Sequence, residues 1–172
     1  MNTKKNITKI LSCIFIVLAF TCSCRSSTPS SNTIAPFSDL NWNSTVDDIL
    51  DSENVKHSTY DSVYGGLCYT YPKEYNGYKG TVKYMLNEEE ELMAIAWTYS
   101  SENTQLLNAL YDNIHDSISQ KYGKSGQEAE GVNNYGDVWY LDEGNILLSL
   151  MLTSDVKALQ YSYLNPKVST EK

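Results

Sequence analysis

Thr104–Tyr122 reads TQLLNALYDNIHDSISQKY, and this stretch decides the fold of the chain. Its apolar side chains recur every three or four residues, which places them on one face of an α-helix. Asn103 or Thr104 is suited to the N-cap, and Gly123 is a natural stop after Lys121. The apolar stripe consists of Leu107, Leu110, Tyr111, Ile114, Ile118 and Tyr122. A helix of this length with one apolar face predicts a sheet on which that face is buried.

Three segments with the pattern of β-strands precede the helix. In Leu92–Tyr99 (LMAIAWTY) large residues alternate with smaller ones, and Tyr64–Tyr71 and Tyr78–Leu86 show the same period of two. Alternation that is rich in tyrosine, valine, threonine and tryptophan is typical of strands. The turn-rich Pro72–Gly77 and the polar Asn87–Glu91 are short links, so we expect the three strands to form an antiparallel meander.

Three further strand patterns follow the helix, in Asp137–Leu141, Ile146–Thr153 and Val156–Leu164. Short polar links at 142–145 and 154–155 join them, which predicts a second three-strand antiparallel meander. We expect the two meanders to form one sheet, with the long helix packed on one of its faces.

A shorter helix is predicted before the first meander. Ser44 or Thr45 is a good N-cap, two aspartates fall in the first turn, and the helical pattern fades by Asn54. The predicted fold is therefore a single α+β domain over residues 37–166, in the order short helix, three strands, long helix, three strands. The repeated order suggests an internal duplication, although the two halves do not align residue by residue.

The first 24 residues have the pattern of a secretory signal. Three lysines within the first nine residues precede an apolar run of 11 residues, Ile10–Phe20, which is about half of the roughly 20 that a membrane-spanning helix needs. The run ends in Thr21-Cys22-Ser23-Cys24, so a small residue stands directly before a cysteine. A cationic start, a short apolar centre and a small residue at the cleavage site predict an export signal.

This leader resembles that of bacterial lipoproteins. The resemblance implies that residues 1–23 are removed and that the Cys24 thiol receives a diacylglycerol, with Cys22 as the alternative site. Two or more acyl chains give stable membrane anchoring, whereas one chain binds reversibly.

Residues 24–36 are rich in serine, threonine and proline, so we expect them to tether the exported domain outside the cytoplasm at the cell envelope. Residues 167–172 are expected to form a disordered tail. The alternative is a secreted protein that is cleaved nearby and carries no lipid.

The charge of the chain excludes two classes of partner. All 21 acidic residues follow residue 23, whereas Lys4, Lys5 and Lys9 precede it, so the processed chain keeps 10 of the 13 basic residues and has a formal charge of −11. Nucleic acid and anionic lipid headgroups should be repelled by such a chain.

If Cys24 is the anchor, Cys68 is left as a single thiol. No disulfide framework is then predicted, and we expect Cys68 to be buried in a strand.

The sequence contains no signature of catalysis or metal binding. His57 lies in a polar segment and His115 in the long helix, and neither belongs to an HExxH or CxxC pattern. Ser125 lies in Gly-Lys-Ser-Gly, which is not a nucleophile elbow and follows a helix where a phosphate loop would follow a strand. A solvated helix start and a hairpin tip explain the acidic groups at 47–51 and 88–91. We therefore expect no enzyme activity, no cofactor and no metal.

The chain contains 14 tyrosines, which are useful at recognition surfaces because they combine an apolar ring with a polar tip. The candidate binding face consists of Trp97, Tyr99, Tyr161 and Tyr163. These residues would form an open platform for a protein or a glycan if they lay on the sheet face away from the helix, with the smaller residues beneath the helix. The alternative arrangement places the large residues under the helix.

The order of elements also resembles two kinds of small exported protein, the outer-membrane assembly lipoprotein BamE and the β-lactamase inhibitor proteins. The resemblance rests on Phe37 and Trp42 before a capped helix, followed by a meander, and it transfers no functional residue. The leading hypothesis is a non-enzymatic binding module for a protein or a glycan of the cell envelope. The resemblance implies an alternative, an inhibitor or assembly factor for an envelope enzyme or machine. A hydrolase with an unrecognised site is the third hypothesis.

Metabolic labelling with an alkynyl fatty acid tests the anchor. We expect the wild-type protein to be labelled and Cys24→Ala to lose the label, because the thiol that carries the acyl chains is removed. Cys68→Ala is the matched control and should be labelled like the wild type. Loss of the label in Cys22→Ala, but not in Cys24→Ala, would move the site to Cys22. Absence of label from the wild type would contradict lipidation.

Overall fold

The computed structural model describes residues 33–130 and 134–168. The predicted leader with Cys22 and Cys24, and most of the predicted tether, lie outside the described residues. Neither helix in the described part of the chain is both long enough and apolar enough to cross a membrane.

The packed part of the chain begins before Phe37, the first residue of the predicted domain. Ala35 is 2% exposed, and the amide of Ile34 donates to the carbonyl of Leu40 at 3.3 Å. These contacts fold residues 34–40 into a compact turn over the sheet. The end of the predicted tether is therefore part of the domain.

Two helices and eight strands make up the described domain, which confirms the α+β class and the antiparallel sheet. In chain order the elements are α1 Val46–Glu53, β1 Ser58–Asp61, β2 Gly65–Tyr75, β3 Tyr78–Asn87, β4 Leu92–Ser100, α2 Thr104–Tyr122, β5 Gln127–Glu130, β6 Asn134–Trp139, β7 Asn145–Leu152 and β8 Lys157–Leu164.

Both helices begin at side-chain caps of the kind the sequence predicts. At α1, Asp48 and Thr45 form a capping box, in which the Thr45 hydroxyl accepts from the amide of Asp48 and the Asp48 carboxylate accepts from the amide of Thr45 at 2.8 Å. At α2, the Asn103 side chain accepts from the amide of Leu106 at 3.1 Å. Gly123 ends α2 with a φ of 86°, a backbone conformation that glycine adopts without strain.

The eight strands form one antiparallel sheet in the order β1-β2-β3-β4-β8-β7-β6-β5. Two meanders therefore meet through their last strands, β4 and β8, at the middle of the sheet. Each meander has four strands, so the prediction of three strands in each was wrong. The additional strands, β1 and β5, are the two edges of the sheet. Their sequences, STYD and QEAE, are short and polar and lack the apolar alternation that identifies the inner strands.

The core lies on one face of the sheet, which we call the helix face. It is covered by α1, by α2 and by the N-terminal segment that contains Phe37 and Leu40. Beneath them lie the large side chains of the inner strands: Val82, Tyr84, Ile95, Trp97, Leu148, Leu150, Tyr161 and Tyr163. Burial of apolar surface stabilises a fold by about 25 cal/mol per Å², so this single layer is the main source of stability.

The apolar stripe of α2 is buried as predicted. Leu107, Leu110, Ile114 and Ile118 are each 3% exposed or less, and the helix packs on β7 and β8. Tyr111 is half-buried at the margin of the same stripe. The long helix therefore covers the second meander, while α1 and the N-terminal segment cover the rest of the helix face.

A buried ion pair ties α1 to the first meander. Glu53, the last residue of α1, has a side chain that is only 4% exposed, and its two carboxylate oxygens accept from Lys73 Nζ on β2 at 3.0 and 3.1 Å. Tyr84 on β3 donates to the same carboxylate, and its hydroxyl lies 3.1 Å from Ser38 Oγ. Burial and the Glu53 carboxylate raise the pKa of Tyr84 well above its usual 10, so the phenol stays neutral and keeps its proton for this bond.

Truncation of Ile114 tests the packing of α2. Ile114→Ala should lower the free energy of unfolding by about 2–5 kcal/mol, because it removes buried methyl groups and leaves a cavity. The exposed neighbour Asn113 provides the control, and Asn113→Ala should change stability by less than about 0.5 kcal/mol. Urea denaturation measures both. Equal midpoints for the wild type and Ile114→Ala would show that this side of α2 is not packed on the sheet.

Removal of Lys73 tests the buried ion pair. Lys73→Met keeps the apolar stem but leaves the Glu53 carboxylate buried without its cation, which should cost at least about 2 kcal/mol of stability. Lys79→Met, at an exposed position on β3, is the matched control and should be nearly neutral. Thermal melts of both variants measure the difference. An unchanged melting temperature for Lys73→Met would mean that Glu53 does not depend on this partner.

Candidate functional site

The four residues of the predicted binding face do lie close together, but on the helix face. Trp97 is 0% exposed, Tyr161 3% and Tyr163 7%, while Tyr99 is half-buried. The rings of Trp97 and Tyr99 stack with centres 6.0 Å apart, and the hydroxyls of Tyr161 and Tyr163 lie 2.7 Å apart. The prediction of an open aromatic platform was therefore wrong. The alternative, with the large residues under the helices, is the arrangement found.

Two contacts explain why these rings are inside. Phe37 inserts from the N-terminal segment, with its ring centre 5.3 Å from that of Tyr161. On β3, Gly80 leaves space for the Trp97 indole, because a Cβ at position 80 would lie 2.7 Å from the ring. The indole Nε1 then donates to the carbonyl of Lys73 at 3.0 Å. A glycine inside a strand indicates close approach of another group, so Gly80 is the signal in the sequence for the burial of Trp97.

The opposite side of the sheet, which we call the open face, has neither described helix packed on it. Its centre consists of small residues. Ala94, Ala96 and Ser162 are each 1% exposed or less, although no helix covers them. They are covered by longer neighbours on the same face: Lys83 lies directly opposite Ala96, and the Gln160 amide donates to Ser162 Oγ at 2.9 Å. The centre of the open face is therefore covered by its longer side chains, among them the half-buried Lys83 and Gln160.

Charge on the open face differs from that of the whole chain. The described strand positions on this face carry two lysines, Lys79 and Lys83, and one acidic residue, Glu74, which pairs opposite Lys79. The whole chain has 21 acidic and 13 basic residues. The open face is therefore a surface of about neutral charge on a strongly acidic protein.

A groove of about 380 Å³ crosses one end of the open face. Its floor is a row of residues that are paired across five neighbouring strands, Tyr60, Cys68, Met85, Ala94 and Leu164. Cys68 and Ala94 are the smallest side chains of the row. We call this feature the open-face groove.

The turn between β1 and β2 forms one wall of the open-face groove. The amide of Ser62 donates to the carbonyl of Gly66 at 2.7 Å, and the amide of Tyr64 donates to Ser62 Oγ at 3.2 Å, so the turn is well held. Burial raises the pKa of the Tyr64 phenol above its usual 10. This wall therefore presents a neutral hydroxyl that can donate or accept a hydrogen bond.

The groove adjoins the free edge of the sheet at β1. Residues 58–61 are all exposed, and β1 pairs only with β2 in the described sheet. Apolar surface is concentrated here, since Val63 is 84% exposed, Tyr60 48% and Leu67 46%. The other edge strand, β5, carries two glutamates in four residues, whereas β1 carries one acidic residue, Asp61. Charged residues oppose the addition of a further strand at an edge, so the β1 edge is the more receptive one.

A second polar cluster surrounds Asp137, between α2 and β6. This carboxylate is in a residue that is 6% exposed, and it accepts from the hydroxyls of Tyr111 and, at 2.8 Å, of Ser125. His115 Nε2 lies 3.9 Å from the same carboxylate. An activated serine needs an imidazole that takes its proton, whereas the Ser125 proton is held by Asp137. This geometry satisfies the buried Asp137 carboxylate.

No group of three or more histidine, cysteine, aspartate or glutamate side chains in the described ranges could hold a metal ion. Cys68 lies inside β2 and is 1% exposed, with its Sγ 3.9 Å from Thr70 Oγ1, which confirms the expected burial of this thiol. His57, the other histidine noted in the sequence, lies with its ring centre 5.1 Å from that of Tyr71.

Comparison of the chain with models of protein families, with curated proteins and with solved structures finds no match in any of the three. The open face and the open-face groove are therefore the features from which a function can be proposed.

Proposed function

We propose that this protein is a non-enzymatic binding module, exported and held at the cell envelope by a lipid on Cys24, and that its open face binds a protein partner. The observation that carries this proposal is the combination found at one end of the sheet: a nearly neutral face without a helix, a groove with tyrosine and methionine, and a free strand edge.

Composition supports a protein partner. The centres of protein interfaces are enriched in aromatic residues and methionine and depleted of aspartate and glutamate. Tyr60, Tyr64 and Met85 line the open-face groove, and Asp61 is the one acidic residue among its lining side chains. The rest of the chain is acidic and repels other acidic surfaces. An acidic protein can therefore approach closely only at the open face.

Geometry supports an extended segment as the part of the partner that is bound. The unpaired edge of β1 offers backbone donors and acceptors at exposed residues 58–61, and an added strand would continue the sheet. Its side chains would alternate between the two faces, so every second one would reach the open-face groove beside Tyr60. A groove of about 380 Å³ accommodates one or two such side chains.

The inhibitor or assembly-factor hypothesis uses the same surface and differs in the nature of the partner. An enzyme that loses activity when the open face covers it would be an inhibited target, whereas a subunit of a machine would be an assembly partner. Identification of the partner distinguishes them.

Site-specific photo-crosslinking in the producing cells tests the proposal. A benzoylphenylalanine in place of Lys83 or Gln160 should form a discrete adduct with one protein, because both positions lie on the open face. The same group in place of Asn113 is the matched control, since Asn113 is exposed on the outer side of α2. Excess unlabelled wild-type protein should compete with the adduct, as expected for a saturable site.

Two outcomes would contradict a protein-binding open face. One is the absence of any adduct from positions 83 and 160. The other is the same set of adducts from positions 83, 160 and 113, which would reflect random collision. Turnover of a substrate by the purified chain would contradict the non-enzymatic part of the proposal.

A further inference from the structure

A second recessed site lies apart from the open face, where the N-terminal segment meets the end of α2 and the turn between β6 and β7. One cavity there has a volume of about 760 Å³, and a second of about 490 Å³ adjoins it. Trp42, Asn43 and Pro166 line both, so the two cavities meet at Trp42. We call them together the Trp42 cleft. Cavities of several hundred Å³ are the usual size of small-ligand sites in proteins.

The indole of Trp42 is held in place by one hydrogen bond. Its Nε1 donates to the carbonyl of Glu143 at 2.9 Å, which fixes one edge of the ring and leaves the half-buried ring at the junction of the two cavities. The chain has three tryptophans, and Trp97 and Trp139 are 0% and 1% exposed. Trp42 is therefore the tryptophan whose ring surface is accessible to a ligand.

The remainder of the lining combines a second aromatic ring with amide groups. Tyr122, at the end of α2, lies on the cleft, and Lys121 Nζ is 4.6 Å from the centre of its ring. Asn41 and Asn43 flank Trp42, and Asn41 Oδ1 accepts from the amide of Asn43 at 2.9 Å, which fixes the turn that presents them. The amide group of an asparagine side chain can donate two hydrogen bonds and accept two.

Gly144 allows two chain segments to lie in close contact at the base of the Trp42 cleft. Its φ is 123°, and a Cβ at this position would lie 2.3 Å from the carbonyl oxygen of Leu164. The turn between β6 and β7 can therefore approach the end of β8 closely, which brings Glu143 within reach of Trp42.

The charge of the cleft indicates which ligands it can accept. Asp142, Glu143 and Glu90 line it, and Lys121 is the basic residue beside them, since Lys167 is paired with Glu91 at 2.6 Å. A site with this excess of carboxylates repels polyanions. An uncharged ligand with many hydroxyl groups suits it better.

We propose that the Trp42 cleft binds a neutral oligosaccharide. The C–H face of a pyranose ring packs on an aromatic ring, and its hydroxyl groups bond to amide and carboxylate side chains that surround the ring. Trp42 and Tyr122 supply the aromatic surfaces, and Asn43 and Asp142 are at the rim. Two adjoining cavities on either side of Trp42 fit a chain of sugars better than a single one. This inference is independent of the open face and of the protein partner proposed for it.

The position of the cleft agrees with a ligand in the cell envelope. Thr33 and Ile34 line the cleft, so it lies where the predicted tether enters the domain. With the proposed lipid at Cys24, Thr33 is at most about 30–32 Å from the point of attachment, at roughly 3.3–3.6 Å per residue of extended chain. Glycans close to the membrane surface are therefore the class of ligand within reach.

Acrylamide quenching of tryptophan fluorescence tests this proposal on the purified full chain. Because Trp97 and Trp139 are buried, the quenched signal comes from Trp42. We expect at least one of three neutral tetrasaccharides (of glucose in α1,4 linkage, of glucose in β1,4 linkage, or of N-acetylglucosamine) to protect Trp42 from acrylamide. Titration with each sugar up to about 10 mM detects dissociation constants in the millimolar range. The anionic tetramer of galacturonic acid should give no protection.

Calorimetric titration with the protecting sugar then locates the site. Trp42→Ala should weaken binding about tenfold or more, as expected for a central aromatic contact, and Asn43→Ala should weaken it less. Tyr60→Ala, in the open-face groove, is the control and should bind like the wild type. Circular dichroism melts establish that each variant is folded.

Three results would overturn the proposal. The first is a lack of protection by all three neutral tetrasaccharides. The second is protection by the galacturonic acid tetramer that equals or exceeds that of the neutral sugars. The third is a folded Trp42→Ala variant that binds the sugar with wild-type affinity. A failed crosslink from the open face has no bearing on any of these results, so the two proposals fail separately.

Discussion

The antiparallel pairing of β4 with β8 is the constraint on which the rest of the structure depends. It joins two four-strand meanders into one sheet, and its register places Trp97 opposite Tyr161 and Ala96 opposite Ser162. Residues that are directly opposite in a sheet lie on the same face. Large side chains of both central strands therefore lie on the helix face, and small ones lie on the open face. A shift of one residue would exchange the faces of one strand and mix large with small on both sides.

The two faces acquire different roles from this division. On the helix face, α1, α2 and Phe37 shield the aromatic rings from solvent. The ion pair between Glu53 and Lys73 holds α1 in place. On the open face, Ala94 and Ser162 are already covered by longer neighbours such as Gln160, so no helix is needed there. Stability is thus supplied mainly by the helix face, and the open face is the surface at which the proposed partner would bind.

Sequence periodicity is sufficient to predict the two helices and the inner strands, but it cannot assign the faces of the sheet. A period of two separates Trp97 from Ala96 without indicating which of them meets the helix. The feature that distinguishes them is the space left by Gly80 on the next strand. Periodicity does not predict the edge strands, because STYD and QEAE have no apolar face to bury. The Trp42 cleft has no local pattern at all, since Trp42 and Glu143 are 101 residues apart in sequence.

Hydrogen–deuterium exchange of the backbone amides measures the central pairing most directly. The amides that are bonded between β4 and β8 should be among the slowest in the protein and should exchange only when the whole domain unfolds, because both strands are interior and covered by the core. The amides of the edge strand β1 should exchange by local opening at much lower free energy. If the amides of β4 and β8 exchanged as fast as those of β1, the two meanders would not be joined in this way, and the division of the sheet into a buried and a free face would be wrong.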